Sequence, residues 1–207
     1  MHRLLHIIAT PRGKNSSTLH ISREFLKVFT QNHHDYEVDE LDLYLEELPE
    51  LTLKRIDGKY FLLSGKDLSQ DLQDAWEAII KQIERFVNKD LYLITTPMWN
   101  FSIPYRLKHY IDIIVQPRYL FRYTERGVEG LLKDKKMVII TSRGGDYSGE
   151  AKTYDFQESY LRAVFNFVGI KDIFFINAQP MDAKGEKVRK ERLEEAKTIA
   201  CKLAKEI

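Results

Sequence analysis

Short apolar runs alternate along the chain with longer segments in which apolar residues fall every three or four positions. Residues 4–9, 91–95, 136–141 and 173–176 read as strands, and the runs at 91–95 and 136–141 suit central positions buried on both faces. Residues 36–43 alternate Tyr36, Val38, Leu41 and Leu43 with acids, the pattern of a half-exposed edge strand. Helical spacing predicts helices over 16–31, 71–87, 103–116, 154–168 and 188–207. The stripe of the second is Leu72, Trp76, Ile79, Ile83 and Phe86. Pro104 suits a first helical turn and Gly169 a C-terminal cap. These are five βα units, so the predicted fold class is α/β. Three layers are expected: a five-stranded parallel sheet in the order 2-1-3-4-5 between helices on both faces, as one domain over residues 1–207. Residues 44–69 and 117–134 lack clear periodicity and read as long loops of the lid, binding or subunit-contact kind.

Composition narrows the function classes. The 207 residues are 43% hydrophobic and 30% charged, enough for one sizeable core. With 32 basic against 31 acidic residues the net charge is +1, which argues against a nucleic-acid partner. The single cysteine, Cys201, excludes an internal disulfide, and the six histidines show no metal-ligand spacing, so no metal site is expected. No apolar run has the length of a membrane span, and the one near Met1 is too short for a secretory leader. The expected setting is the cytoplasm.

Three polar loops follow predicted strands. In an open parallel sheet such loops meet at the carboxyl edge, where ligands bind. The first, residues 10–18, places Thr10, Ser16, Ser17 and Thr18 at a helix start with Arg12 and Lys14 nearby. Hydroxyls, free N–H groups and the helix dipole there suit a phosphate, although Asn15 or Ser16 acting only as a helix cap explains the loop equally well. It lacks the glycine pattern of either nucleotide-binding turn. The second loop, Pro97, Met98, Trp99, Asn100 and Phe101, offers flat aromatic surface with an amide beside it. The third, Ser142, Arg143, Gly144 and Gly145, lets main-chain N–H groups approach a ligand edge, or is simply a flexible turn. Together they describe a site for a flat heterocycle with a phosphate tail, a shape that flavin mononucleotide (FMN) fits. No nucleophile–base set or metal cluster accompanies them, so hydrolase chemistry has no support.

At these residues the chain resembles the FMN-dependent NADH azoreductases and quinone reductases of the flavodoxin-like fold. The resemblance runs from residue 1 to about 180. It is densest in residues 97–104 continuing to 107–112, then in 121–125, 127–131 and 141–145. Threonines replace the commoner serines in the first loop, and Trp99 stands where tyrosine is frequent. The resemblance implies a homodimer with one FMN per subunit. Thr10, Arg12, Ser16, Ser17 and Thr18 would hold the phosphate, and residues 97–101 would contact the ring. Ser142, Arg143, Gly144 and Gly145 would line its polar edge. Arg143 would stabilise charge on the reduced ring, and Tyr123 would approach the open face unless it only packs on its own loop. The implied reaction is ping-pong transfer of two electrons from NADH or NADPH to quinones or azo compounds. A flavin reductase and a flavodoxin-type electron carrier are the alternatives.

Overall fold

The computed structural model describes residues 1–207. In chain order the elements are β1 (His2–Ile8), α1 (Ser17–Asn32), β2 (Tyr36–Asp42), α2 (Leu53–Leu63), α3 (Gln70–Val87), β3 (Leu91–Pro97) and α4 (Tyr105–Ile114). There follow β4 (Phe121–Thr124), β5 (Gly127–Gly130), β6 (Lys136–Ser142), α5 (Phe156–Phe167), β7 (Asp172–Ala178) and α6 (Gly185–Glu206). The main sheet is parallel, in the order β2-β1-β3-β6-β7. By position along the chain this is the expected order, with β6 and β7 as the fourth and fifth strands.

Period-two alternation sends the side chains of each central strand into two cores. Leu5, Ile7, Tyr92, Ile94, Met137 and Ile139 pack with residues of α3, α4 and α5. Leu4, Leu91, Leu93, Val138 and Ile140 pack with Ile21, Phe25 and Phe29 of α1 and with Ala196, Ala200 and Ala204 of α6. The alanines fall four residues apart on one face of α6, so this otherwise highly charged helix approaches α1 closely through a narrow small-residue stripe.

Two segments expected as loops contain regular structure. Residues 53–63 form α2, which buries only Gly58 and Leu62 and leaves Leu53 and Tyr60 exposed. It contacts the body of the protein through Leu62, through hydrogen bonds of Arg55 with Ala75 and Trp76, and at Gly58, where an added Cβ would lie 2.3 Å from the Trp76 indole nitrogen. Leu53, Ile56, Tyr60 and Leu63 do fall at helical spacing, but Leu53, Ile56 and Tyr60 stay exposed, so the pattern does not mark a core-facing stripe. Residues 121–130 form the hairpin β4–β5, paired from Phe121↔Gly130 to Thr124↔Gly127. Its strands are four residues each and mostly exposed, and Glu125–Arg126 is not a turn pair that announces a hairpin.

The edge strand β2 is pinned to α3 by charge. Arg85 donates to both carboxylate oxygens of Asp39, at 3.1 and 2.6 Å, and Lys89 donates at 2.6 Å. The Arg85 hydrogen bonds hold the Asp39 carboxyl down at about 2 against the opposing effect of burial, with Lys89 helping. A carboxyl lowered on folding stabilises the fold above its unfolded pKa, and that stability is lost as pH falls through the folded value. Asp39 is a little over a quarter exposed, which trims the contribution to about 1–2 kcal/mol. Asp39→Asn is therefore expected to lower stability at pH 7 by that amount. The difference from wild type should vanish between about pH 4 and pH 2 in urea unfolding. A difference that persists unchanged at pH 2 would assign the effect to packing instead of charge.

Candidate functional site

The carboxyl ends of β1, β3, β6 and β7 carry loops that are hydrogen-bonded to one another. The Met98 N–H donates to the Ser142 carbonyl at 2.9 Å, joining the loops after β3 and β6. Thr18 Oγ1 lies 3.0 Å from Ser142 Oγ, joining the start of α1 to the same place. The loop after β7 closes the set: Met181 N–H donates to the Arg143 carbonyl, and Asp182 and Ala183 both donate to the Gly144 carbonyl. The three sequence-predicted loops thus meet at one edge. The fourth, residues 179–184, was not anticipated, because nothing in its sequence distinguishes it from an ordinary connection.

In the first loop Ser16 caps α1, its Oγ accepting from the Leu19 N–H at 3.3 Å. The capping explanation is therefore correct for Ser16. It is compatible with an anion site, because the N–H groups of Ser17 and Thr18 have no main-chain acceptor. Thr10, Ser16 and Thr18 are buried, Ser17 is half-buried, and Arg12 is exposed. Beneath this turn runs a buried polar line. His6 Nε2 lies 2.8 Å from Thr95 Oγ1, which lies 2.5 Å from Ser22 Oγ, and Ser22 donates to the Thr18 carbonyl. It fastens the first turn of α1 to β1 and β3.

The second loop is a two-residue reverse turn. Trp99 and Ser102 exchange both main-chain hydrogen bonds at 2.9 Å, and the central residues Asn100 and Phe101 have φ of 47° and 68°. Positive φ at both central positions is the geometry that normally calls for Asn-Gly. A phenylalanine there is strained at a cost of about 1–2 kcal/mol, and such strain gathers at functional sites. The turn holds the rings of Trp99 and Phe101 outward, 36% and 47% exposed. Beside it lies a pocket of about 450 Å³ lined by Trp99, Asn100, Ser102, Ile103, Tyr105, Lys108 and Tyr160. Burial, reinforced by the Asp112 carboxylate, pushes the Tyr160 phenol up to about 12, so it remains protonated in neutral solution. Tyr160 falls within the predicted helix 154–168, and nothing in its helical spacing marks it as lining a pocket.

In the third loop the N–H groups of Gly144 and Gly145 donate to no protein group. A Cβ at Gly144 would lie 2.9 Å from Asp182 Oδ2, and one at Gly145 would lie 3.5 Å from the Tyr147 ring. Arg143 corrects the expectation placed on it. Its side chain is buried and turned inward, Nη1 donating to Asp155 Oδ2 at 2.7 Å and Nε to Gln157 Oε1 at 3.3 Å. Even its N–H is engaged, by the Ala178 carbonyl. A guanidinium held in an internal ion pair does not reach a ligand edge, so Arg143 supports the loop instead of stabilising charge on a cofactor. Gln157 extends that support, donating to the Pro97 carbonyl at 2.8 Å. Tyr123 lies on β4, 65% exposed, and packs edge-on against Phe121. Within one chain it meets none of the three loops.

These features can be compared with known proteins. A family model described as the flavodoxin-like fold matches residues 2–203. The chain belongs to this flavodoxin-like family. Among curated relatives, a protein of Coprothermobacter proteolyticus named FMN-dependent NADH:quinone oxidoreductase is 38% identical over 208 residues, covering 100% of both chains. One of the same name from Nitratidesulfovibrio vulgaris (strain DP4) is 35% identical, covering 97% of this chain and 99% of its own. Among solved flavodoxin-like structures, an azoreductase from Bacillus anthracis str. Sterne superimposes with a TM-score of 0.90 at 28% identity, covering 100% of each chain. An FMN-dependent NADH-azoreductase from Bacillus anthracis str. Ames Ancestor, solved in complex with FMN, gives a TM-score of 0.85 at 28% identity. That match covers 99% of this chain and 100% of the other.

Proposed function

We propose that this protein is an FMN-dependent oxidoreductase that passes two electrons from NADH to quinones or azo compounds. The observation that carries the reading is the meeting, at one sheet edge, of a helix start with free N–H groups, an aromatic turn and two glycine N–H donors without partners. Phosphate, flat ring and polar ring edge each find matching chemistry there. The relatives' names and the FMN-bound azoreductase agree with it.

FMN, when bound, supplies the two-electron hydride chemistry that no side chain of this site provides. The chain's part is to hold and orient it. Ser17 and the N–H groups of Ser17 and Thr18 would take the phosphate, with Arg12 beside them. Met98, Trp99, Asn100 and Phe101 would face the ring, and the Gly144 and Gly145 N–H groups would meet its polar edge. Donor and acceptor use the same exposed face in turn, which is a ping-pong cycle. The working unit is a homodimer in which Tyr123 reaches the site of the other subunit. The protein works in the cytoplasm, and no helix is long and apolar enough to cross a membrane.

The test is an absorbance spectrum of the purified protein before and after anaerobic NADH. Bands near about 370 and 450 nm that bleach on NADH are expected. A colourless protein that takes up no added FMN would overturn the reading. Parallel double-reciprocal plots are expected with a quinone acceptor, and intersecting ones would remove the ping-pong cycle. Trp99→Ala is expected to weaken FMN retention about tenfold while leaving the melting temperature nearly unchanged, since Trp99 lies outside both cores. Unchanged flavin content in that variant would remove Trp99 from the site.

A further inference from the structure

The second turn of α6 carries a positive charge to the helix start that the proposed function assigns to phosphate. Arg189 Nη2 donates to Ser17 Oγ at 3.2 Å, across 172 positions of sequence. Its Nη1 lies 3.9 Å from Asp182 Oδ1, close enough to be steered but beyond hydrogen-bonding reach. Asp182 is in turn fixed by its N–H to the Gly144 carbonyl. The guanidinium is therefore held over one hydroxyl of the turn, about one-third exposed, with N–H donors to spare. Arg12 and Lys14, the turn's own cations, are exposed on long side chains that lose more freedom on being fixed. Because Ser17 Oγ accepts from Arg189, its own O–H is free to donate elsewhere.

We propose that Arg189 is a phosphate-binding residue that makes this site prefer the phosphorylated flavin to riboflavin. The proposal rests on the reading of residues 10–18 as the phosphate end of an FMN site. A guanidinium presents a planar fork that matches two phosphate oxygens, and it adds full charge to the partial charge of the α1 N-terminus. Ser17 and Arg189 reach the group from two neighbouring helices, α1 and α6. Asp182 attracts the guanidinium toward the turn across 3.9 Å, while the Ser17 hydroxyl makes the direct hydrogen bond.

The experiment compares the affinities of FMN and riboflavin for the full-length protein stripped of flavin, by quenching of flavin fluorescence. For Arg189→Gln the FMN dissociation constant is expected to rise about 10- to 30-fold, as for loss of a charge-assisted hydrogen bond, with riboflavin affinity within about twofold of wild type. The dependence of FMN affinity on salt should also become shallower. Arg189→Lys, which keeps the charge without the fork, should retain part of the preference for FMN and guards against a folding defect in the glutamine variant. Equal FMN affinity in wild type and Arg189→Gln would overturn the proposal. So would equal weakening toward FMN and riboflavin, which would make Arg189 a brace between α6 and α1. Wild-type protein that binds neither flavin would overturn the reading of the site itself, and this proposal with it.

Discussion

Arg143→Met is expected to be the most damaging single change near the site, lowering stability by about 3–5 kcal/mol. The side chain of Arg143 is 1% exposed and that of its partner Asp155 is 8% exposed. Removing the guanidinium strands a buried carboxylate without its counter-charge, and also removes the donor to Gln157 Oε1. For a chain of this length such a loss corresponds to a fall in melting temperature of about 10 °C or more. Because Arg143 begins the glycine loop and Gln157 reaches the Pro97 carbonyl, flavin retention should fall with it. The double variant Arg143→Met/Asp155→Leu separates charge from shape. Replacing both partners by apolar groups is often close to neutral, so most of the stability should return. A residue of about 1 kcal/mol should persist, because Asp155 Oδ1 also caps α5 by accepting the Glu158 N–H. Thermal unfolding of the four proteins decides the matter. A double variant no more stable than Arg143→Met would show that the guanidinium acts through packing and not through its ion pair.

The same residue shows where sequence reading stops. Its place after the apolar run Met137–Ile140 put it in the right loop, because a strand buried on both faces can be recognised from composition alone. The direction of its side chain depends on Asp155 and on Gln179, 36 positions away, and no local pattern carries that. Arg189 lies in the predicted helix 188–207, but its role was not legible, since its partner Ser17 belongs to the opposite end of the chain. The five sheet strands, their order and the meeting of three loops were all readable. They follow from hydrophobic period and from the rule that parallel strands deliver their loops to one edge. What was missed, α2 and the β4–β5 hairpin, leaves most of its apolar side chains exposed or is built of four-residue strands, so its pattern did not separate it from loop.

Gly130→Ala is the second large effect expected, and it bears on the hairpin that carries Tyr123. A Cβ at Gly130 would lie 2.4 Å from both the Gly169 nitrogen and the Val168 carbonyl carbon. Those atoms are main chain at the end of α5, where Gly169 has φ of 111° and reverses the chain. A flexible side chain could move aside, but here the hairpin base and the helix end must part. The Leu132 N–H bond to the Val168 carbonyl, 2.9 Å, lies directly in the strained region. The expected cost is about 3 kcal/mol, the upper part of the range for overpacking. Val128→Ala, on the exposed side of the same hairpin, should cost little and serves as the control. Flavin affinity should survive in Gly130→Ala, because none of the three loops touches the hairpin base. Acceptor turnover should fall if the hairpin of one subunit completes the site of the other. A melting temperature within about 2 °C of wild type would mean that α5 yields and that the hairpin is not held by this contact. Normal stability-corrected turnover alongside a clear loss of stability would leave the hairpin structural and take Tyr123 out of the reaction.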